Sequence, residues 1–141
     1  MTASDGSAVD QLLEVARRTL PHRPTADELP RLIARGALVV DIRPVAQRER
    51  DGELAGAVVI DRNVLEWRLD PTSPNRIDEA IDHDREIVIV CNEGYASSFA
   101  AATLQQLGLT RATDLAGGFQ AVLAARRALP ATPSSPPESP R

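Results

Sequence analysis

Short apolar runs alternate with amphipathic stretches along most of this chain. The runs are rich in Val, Ile, Leu and Ala and are too short for typical globular helices, so they fit strands buried on both faces. Between them, apolar residues recur at the three-to-four spacing of a helix. The pattern predicts strands over residues 37–42, 57–60, 87–90 and 112–116. It predicts helices over residues 9–20, 27–35, 44–50, 63–69, 77–81, 99–107 and 119–129.

The alternation of strand and helix predicts an α/β fold with a mostly parallel central sheet. Helical crossovers between parallel strands place helices on both faces of such a sheet. A chain of 141 residues has room for one domain of this kind. Val64, Leu65, Trp67 and Phe119 are expected to contribute to its core. Residues 1–10 lack periodicity and residues 130–141 are rich in proline and serine, so both ends are expected to be disordered.

The start of the second predicted helix has two possible positions. Thr25 and Glu28 have the form of a capping box. A helix that began there would place Pro30 at its fifth position, where the missing N–H breaks a hydrogen bond. Asp27 is therefore preferred as the N-cap, with Gly36 ending the helix.

Charge and hydropathy exclude several classes of partner. Sixteen basic and 20 acidic side chains give a net charge of −4, and no basic block suggests a nucleic-acid surface. The longest apolar segments fall far below the roughly 18 residues that span a bilayer. The first residues do not show the charged-then-apolar pattern of a signal peptide. We therefore expect a cytoplasmic protein with neither a membrane nor a nucleic-acid partner.

Cys91 is the only cysteine, which excludes an intrachain disulfide and any multi-cysteine metal site. His22 and His83 are not spaced near Cys91 as metal ligands. We expect no metal and no other cofactor.

Cys91 nevertheless occupies a position that favours chemistry. It ends the predicted strand over 87–90 and precedes a helix, and ligands of α/β proteins bind at the carboxyl ends of strands. Gly94 suits a tight loop because it tolerates positive φ, and Ser97 or Ser98 is expected to cap the helix. Loop N–H groups and the helix dipole would stabilise a thiolate. The alternative is a buried, unreactive cysteine, which is common after an apolar strand.

Four separated blocks resemble the rhodanese-like domain family. They are Val39-Val-Asp-Ile-Arg-Pro44, Gly52-Glu-Leu-Ala-Gly-Ala-Val-Val-Ile60, Ile87-Val-Ile-Val-Cys-Asn-Glu-Gly-Tyr-Ala-Ser97 and Leu115-Ala-Gly-Gly-Phe-Gln-Ala121. The resemblance implies a small three-layer α/β domain over residues 25–129, preceded by a disordered segment and a helix within 1–24 and followed by a tail over 130–141.

By the same resemblance, Cys91 is the catalytic nucleophile that accepts a sulfane sulfur as a persulfide. The substrate-binding loop is then formed by Asn92, Glu93, Gly94, Tyr95, Ala96 and Ser97. Asp41 and Arg43 are expected to support the loop as a structural ion pair rather than to react.

The loop departs from the family in one respect. Many active rhodaneses carry an arginine five positions after the cysteine, where this chain has Ala96. Related arsenate reductases and dual-specificity phosphatases carry it one position later, where this chain has Ser97. Without a bidentate arginine, and with Glu93 in the loop, anionic donors such as thiosulfate are expected to be poor substrates. Arg62 and Arg68 follow the second strand and are candidates to supply the missing positive charge.

These observations predict a sulfurtransferase that carries sulfane sulfur on Cys91. A single cysteine cannot resolve a persulfide within the chain, so the expected partners are a small sulfur donor and an external thiol acceptor or partner protein. The alternative is a catalytically weak rhodanese-like module that binds a partner or senses redox or persulfide state.

Overall fold

Four parallel strands form the central sheet of this computed structural model, which describes residues 6–128. They are β1 (Leu38–Asp41), β2 (Ala57–Val59), β3 (Ile87–Val90) and β4 (Ala112–Asp114), and their spatial order is β2-β1-β3-β4. β1 and β3 form the centre, in a register that pairs Asp41 with Val90. The carboxyl ends of β1 and β3 therefore lie at the same edge of the sheet.

Helices cover both faces of this sheet, which confirms the predicted α/β architecture. Six α-helices are present in the described part of the chain: α1 (Ala8–Arg18), α2 (Leu29–Ala34), α3 (Val45–Asp51), α4 (Leu65–Leu69), α5 (Ala96–Gln106) and α6 (Gly118–Ala128). Single turns of 3-10 helix over Ala26–Glu28 and Arg62–Val64 lead into α2 and α4.

The core divides into two apolar layers because side chains alternate across the central strands. Val40 and Ile89 point toward the layer that includes residues of α4 and α5. Val39 and Val88 point toward the layer that includes residues of α2 and α6. All four residues are at most 1% exposed, as expected for strands covered on both faces.

Two predictions about the segment before β3 are wrong. Residues 77–81 form one turn, at residues 78 and 79, rather than a helix, and the segment is short for helix nucleation. Trp67 is 58% exposed and Val64 is 44% exposed, so neither belongs to the core. Leu65 and Leu69 fill that position instead, because their spacing of four residues places both on the inner face of α4.

The N-terminal helix begins earlier than predicted. Ser7 is its N-cap and accepts a hydrogen bond from the Asp10 N–H at 3.1 Å, so residues 8–10 are helical rather than disordered. The helix packs against α5, with Leu13 and Ala16 as its buried residues. Residues 1–5 and the tail predicted over 130–141 lie outside the described residues.

The preference for Asp27 as an N-cap is also wrong. Thr25 and Glu28 form the capping box, with the Thr25 N–H donating to the Glu28 carboxylate at 2.7 Å. Pro30 causes no break because the 3-10 turn comes first, which leaves Pro30 in the first turn of α2. Gly36 follows α2 with a φ of 94°, as predicted for a residue that ends a helix.

Candidate functional site

Cys91 lies directly after β3, at the carboxyl edge of the sheet. It is 7% exposed and lines a cavity of about 400 Å³. Other residues around this cavity come from three parts of the chain. Arg43 follows β1, Arg62 follows β2, and Tyr95 and Ala96 belong to the loop over residues 91–96, the Cys91 loop. The thiol is therefore protected from bulk solvent but faces a space large enough for a small molecule.

Two backbone N–H groups donate hydrogen bonds to the Cys91 sulfur. The Gly94 nitrogen lies 3.1 Å from Sγ and the Ser97 nitrogen lies 3.3 Å from it. Ser97 belongs to the first turn of α5, where N–H groups have no partner within the helix. Both donors, together with the positive end of the helix dipole, favour a thiolate or another anionic sulfur at this position.

The carbonyl groups at the start of the loop are bonded to α6. The N–H of Phe119 donates to the Cys91 carbonyl at 2.8 Å, and the N–H of Gln120 donates to the Asn92 carbonyl at 3.0 Å. Both donors lie at the N-terminus of α6, where they would otherwise be unpaired. The end of α6 thus holds the first two peptide groups of the loop in place.

Glycines allow this close approach between the loop and α6. Gly118 has a φ of 63°, and a Cβ atom on it would lie 2.6 Å from the Cys91 carbonyl oxygen. Gly94 has a φ of 89°, and a Cβ atom on it would lie 2.8 Å from the Gly117 nitrogen. Any other residue type at either position would have to displace backbone.

Ser97 and Ser98 do not cap α5, contrary to the prediction. The helix begins at Ala96, so both serines lie inside its first turn and are fully buried. The Ser97 hydroxyl lies 3.1 Å from Cys91 Sγ and donates to Asp114 Oδ2 at 2.7 Å. The Ser98 hydroxyl also donates to Asp114 Oδ2, at 2.8 Å.

Three charged residues that the sequence analysis did not select surround these serines. Asp114, at the end of β4, has no solvent exposure and accepts hydrogen bonds from Arg23 Nε at 2.7 Å and Nη2 at 3.2 Å. Arg23 Nη2 and Arg17 Nη2 also donate to the Gly94 carbonyl, at 3.2 Å and 2.7 Å. The position of Asp114 at the end of a strand beside β3 was a usable signal. No sequence pattern pointed to Arg17 or Arg23.

Asp41 and Arg43 do form an ion pair, with both side chains inaccessible to solvent. Arg43 Nη2 lies 2.8 Å from Asp41 Oδ2 and also donates to the Gly52 carbonyl at 2.9 Å. The guanidinium carbon lies 3.7 Å from the centroid of the Phe119 ring, and Phe119 is buried as predicted. The pair links the end of β1 to α6, and Arg43 forms part of the cavity wall.

The remaining loop side chains differ in how they are held. The Asn92 side-chain oxygen accepts a hydrogen bond from Gln120 Nε2 at 3.0 Å, and the same nitrogen donates to Asp51 at 2.9 Å. A hydrogen bond from Arg50 holds the pKa of the Asp51 carboxyl below its ordinary value, so Asp51 is an acceptor at neutral pH. Glu93 is exposed at the cavity.

The candidate cations after β2 are separated by the fold. Arg62 lines the cavity beside Cys91, and its Nη1 donates to both carboxylate oxygens of Glu66 at 3.0 Å. Arg68 donates to the Asn75 carbonyl at 2.8 Å and is not among the residues that line the cavity. The structure thus brings Arg62, but not Arg68, to the predicted nucleophile.

The site as a whole suits thiol chemistry. Among residues 6–128, no group of three or more His, Cys, Asp or Glu side chains is arranged to hold a metal ion. Within the same residues, no helix is long and apolar enough to cross a membrane. The arrangement offers one nucleophilic sulfur, backbone donors for a negative charge on it, and a neighbouring cavity.

Comparisons with known proteins agree with this geometry. Residues 25–125 match the family model of the rhodanese-like domain. No curated protein sequence matches the chain. Among solved structures, RPA3614 from Rhodopseudomonas palustris CGA009, a protein of unknown function described as a possible tyrosine phosphatase, is 29% identical with a TM-score of 0.75. That match covers 89% of this chain and 96% of the other.

Two further solved structures are similar over the matched domain. The human single-domain sulfurtransferase TSTD1 is 27% identical with a TM-score of 0.62, over 72% of this chain and 95% of the other. The rhodanese homolog TT1651 from the extremely thermophilic bacterium Thermus thermophilus is 28% identical with a TM-score of 0.52, over 71% of this chain and 99% of the other.

Proposed function

Because this chain belongs to the rhodanese-like domain family, we propose that it is a sulfurtransferase that carries sulfane sulfur as a persulfide on Cys91. The observation that carries the proposal is the pair of N–H groups, from Gly94 and Ser97, that donate to the Cys91 sulfur beside an open cavity. The similarity to human TSTD1, a sulfurtransferase, supports the same activity.

The proposed reaction has two displacement steps. The Cys91 thiolate forms a bond to the sulfane sulfur of the donor, and the donor's bond to that sulfur breaks with its electron pair staying on the leaving group. An acceptor nucleophile then attacks the outer sulfur of the persulfide, and the electron pair of the S–S bond returns to Cys91. The acceptor is a separate molecule, such as a small thiol, cyanide or a partner protein, because the chain has one cysteine. No net oxidant or reductant is required.

The loop stabilises the sulfur that bears negative charge in each step. The thiolate, and not the neutral thiol, is the attacking species, so donors that stabilise negative charge on the sulfur favour the attack. A hydrogen bond to a charged group contributes roughly 1.5–3 kcal/mol, and the dipole of α5 adds about 0.3–1 kcal/mol. The same field would stabilise the anionic outer sulfur of the persulfide within the cavity.

The cavity also bears on the choice of donor. Arg62 is its partly exposed cation, whereas Arg43 is fully buried and paired with Asp41. The ion pair with Glu66 offsets part of the positive charge of Arg62, and Glu93 adds a negative charge at the same cavity. We expect Arg62 to hold a donor's carboxylate or similar singly charged group. Thiosulfate, a dianion, is expected to be a poor donor because the loop itself lacks an arginine.

Cyanolysis tests the proposal directly. The wild-type protein is incubated with thiosulfate, 3-mercaptopyruvate or glutathione persulfide, freed of donor, and treated with cyanide. We expect release of thiocyanate, and an intact mass before cyanide that is greater by one sulfur atom. Cys91→Ala should show neither, with circular dichroism confirming that it is folded. Equal background thiocyanate from both proteins would contradict sulfur transfer.

The same experiment, with one added substrate, tests two alternative functions. A protein that folds, gains no sulfur from any of the three donors and is oxidised at Cys91 by peroxide would be a sensor or binding module, which the missing loop arginine favours. The R. palustris structure is described as a possible tyrosine phosphatase, so p-nitrophenyl phosphate is a useful additional substrate. We expect no Cys91-dependent hydrolysis, because a phosphate dianion needs a bidentate cation that this loop lacks.

A further inference from the structure

The N-terminal segment contacts the Cys91 loop at the Gly94 carbonyl and at the Tyr95 ring, which lies 5.7 Å from the Arg17 guanidinium carbon. The Gly94 carbonyl oxygen accepts hydrogen bonds from Arg17 Nη2 at 2.7 Å and from Arg23 Nη2 at 3.2 Å. The N–H of the same residue donates to Cys91 Sγ at 3.1 Å. Gly94 therefore contacts the sulfur through its N–H and two guanidinium groups through its carbonyl oxygen.

A buried countercharge holds Arg23 directly and Arg17 through the Ser98 hydroxyl. Arg23 makes two hydrogen bonds to Asp114, which has no solvent exposure, and Arg17 Nε donates to the Ser98 hydroxyl at 3.0 Å. Two positive charges and one negative charge leave one net positive charge next to the loop. Because the carboxylate is buried and the two arginines are half-buried, water screens this charge less than it would at an open surface.

Both arginines come from outside the matched family domain, which begins at residue 25. Arg17 lies in the last turn of α1, and its position depends on the packing of Leu13 and Ala16. Arg23 follows α1, in the segment that leads to the 3-10 turn. The family domain by itself would leave the Gly94 carbonyl without either guanidinium.

We propose that Arg17 and Arg23 are positioning residues for the Cys91 loop, which hold its conformation and supply positive charge through the Gly94 carbonyl in place of the arginine that the loop lacks. The inference rests on the proposed function only in that Cys91 is the reacting group. The N-terminal segment thereby becomes part of the active site rather than an appendage to it. The role of the two arginines is indirect, because both approach the loop through its Gly94 carbonyl rather than through the Cys91 sulfur.

Charged groups lie near the loop on several neighbouring elements, whereas α6 contributes backbone N–H groups. The charged groups are Arg17 from α1, Arg23 before α2, Asp41 and Arg43 from the end of β1, Arg62 after β2, Glu93 in the loop itself and Asp114 from β4. Asp41 and Arg43 form a buried ion pair, and Arg62 forms an ion pair with Glu66. Substitution of Arg17 by a neutral residue therefore removes one positive charge near the loop without breaking either ion pair.

The test compares Arg17→Ala with Arg18→Ala in the full chain. Arg18 lies on the same helix and carries the same charge, but it is exposed and is not hydrogen-bonded to the loop. Second-order alkylation of Cys91 by iodoacetamide is followed by mass spectrometry across pH 5 to 10. We expect Arg17→Ala to react about fivefold more slowly at pH 7, with its rate profile displaced to higher pH, as loss of one charge-assisted hydrogen bond predicts. Arg18→Ala should match the wild type.

Two further variants separate position from charge. Arg17→Lys keeps the charge near the Gly94 carbonyl but cannot bond both that oxygen and Ser98, so we expect an intermediate profile. The double change Arg23→Gln with Asp114→Asn removes the second guanidinium without leaving a buried, unpaired carboxylate. Because this change leaves the net charge beside the loop at one positive, we expect alkylation at pH 7 to slow less than in Arg17→Ala, through loss of the Arg23 hydrogen bond to the Gly94 carbonyl.

The outcomes for this inference and for the proposed function are distinct. Identical pH profiles for wild type, Arg17→Ala, Arg18→Ala and the double variant would overturn the positioning role, even if sulfur transfer occurs. A displaced profile for Arg17→Ala alone would support the positioning role, even if no variant transfers sulfur. In a transferring protein, Arg17→Ala should lower kcat more than it raises KM for the donor, because Arg17 itself does not line the cavity.

Discussion

The Ser97 hydroxyl lies 3.1 Å from the Cys91 sulfur. It also lies 2.7 Å from Asp114, so its single hydrogen has two possible acceptors. With a neutral thiol, Ser97 accepts from the S–H group and donates to Asp114. With a thiolate, the hydroxyl can turn to donate to sulfur, because Arg23 and Ser98 still satisfy the carboxylate. Ser97 is therefore suited to stabilise both states of Cys91.

Removal of this hydroxyl should slow the reaction of Cys91. We expect Ser97→Ala to reduce kcat for sulfur transfer by about 10-fold, since one hydrogen bond to a charged group contributes roughly 1.5–3 kcal/mol. Ser98→Ala is the comparison because it loses hydrogen bonds to Asp114 and from Arg17 but none to sulfur, and its effect should be smaller. Steady-state cyanolysis measures both. Equal losses in the two variants would show that Ser97 acts through Asp114 alone.

Restoration of a loop arginine should improve the use of thiosulfate. Ala96 is exposed at the cavity, so Ala96→Arg has room to project a guanidinium toward a bound dianion. We expect KM for thiosulfate to fall by about 10-fold through bidentate contact, despite a small cost of a cation at a helix N-terminus. Ala96→Gln is a control of comparable length without charge. A wild type that already prefers thiosulfate over the other donors would contradict the interpretation of Ala96.

Arg62 should make Cys91 discriminate between neutral and anionic reagents. Iodoacetamide and iodoacetate alkylate the same sulfur but differ by one negative charge. We expect Arg62→Ala to lower the ratio of the iodoacetate rate to the iodoacetamide rate by about threefold at low salt, and about 1 M salt should abolish the difference. Arg68→Ala removes the same charge away from the cavity and should leave the ratio unchanged. An unchanged ratio in Arg62→Ala would exclude Arg62 from donor recognition.

The close approach of the loop to α6 should make Gly94 intolerant of substitution. Gly94→Ala adds a Cβ atom 2.8 Å from the Gly117 nitrogen at a φ of 89°. Gly36→Ala is a matched control with a φ of 94° and no heavy atom within 4 Å of the new Cβ. We expect Gly36→Ala to lower the free energy of unfolding by about 1–2 kcal/mol and Gly94→Ala by clearly more, measured by urea denaturation. Equal losses would mean that the loop relaxes freely.

The strands and the position of Cys91 were accessible from the sequence because each depends on short-range pattern. A β-branched run such as residues 87–90 is constrained at χ1 and too short for a helix, so it was placed correctly. The position of Cys91 at the end of β3 followed from that assignment. The first residues of α2 and α5 were harder to predict. The 3-10 turn before Pro30 and the start of α5 at Ala96 depend on local hydrogen bonding that composition does not specify.

Predictions about burial failed where a helix is short. Trp67 lies on a five-residue helix, in which one turn decides which face is inward, and Leu65 and Leu69 occupy that face. Val64, in the 3-10 turn that leads into this helix, is 44% exposed for the same reason. Apolar character alone did not determine which of these side chains packs against the sheet.

The sequence by itself determined that this chain is an α/β protein of the rhodanese-like family with Cys91 at a strand end, because hydrophobic periodicity and loop motifs are local properties. Only the tertiary structure decided which charges surround that cysteine. Arg17 and Asp114 lie 74 and 23 residues from Cys91 in sequence, and they meet the Cys91 loop because α1 packs on α5 and β4 pairs with β3. Contacts between distant segments depend on how whole elements pack, and no local pattern encodes them.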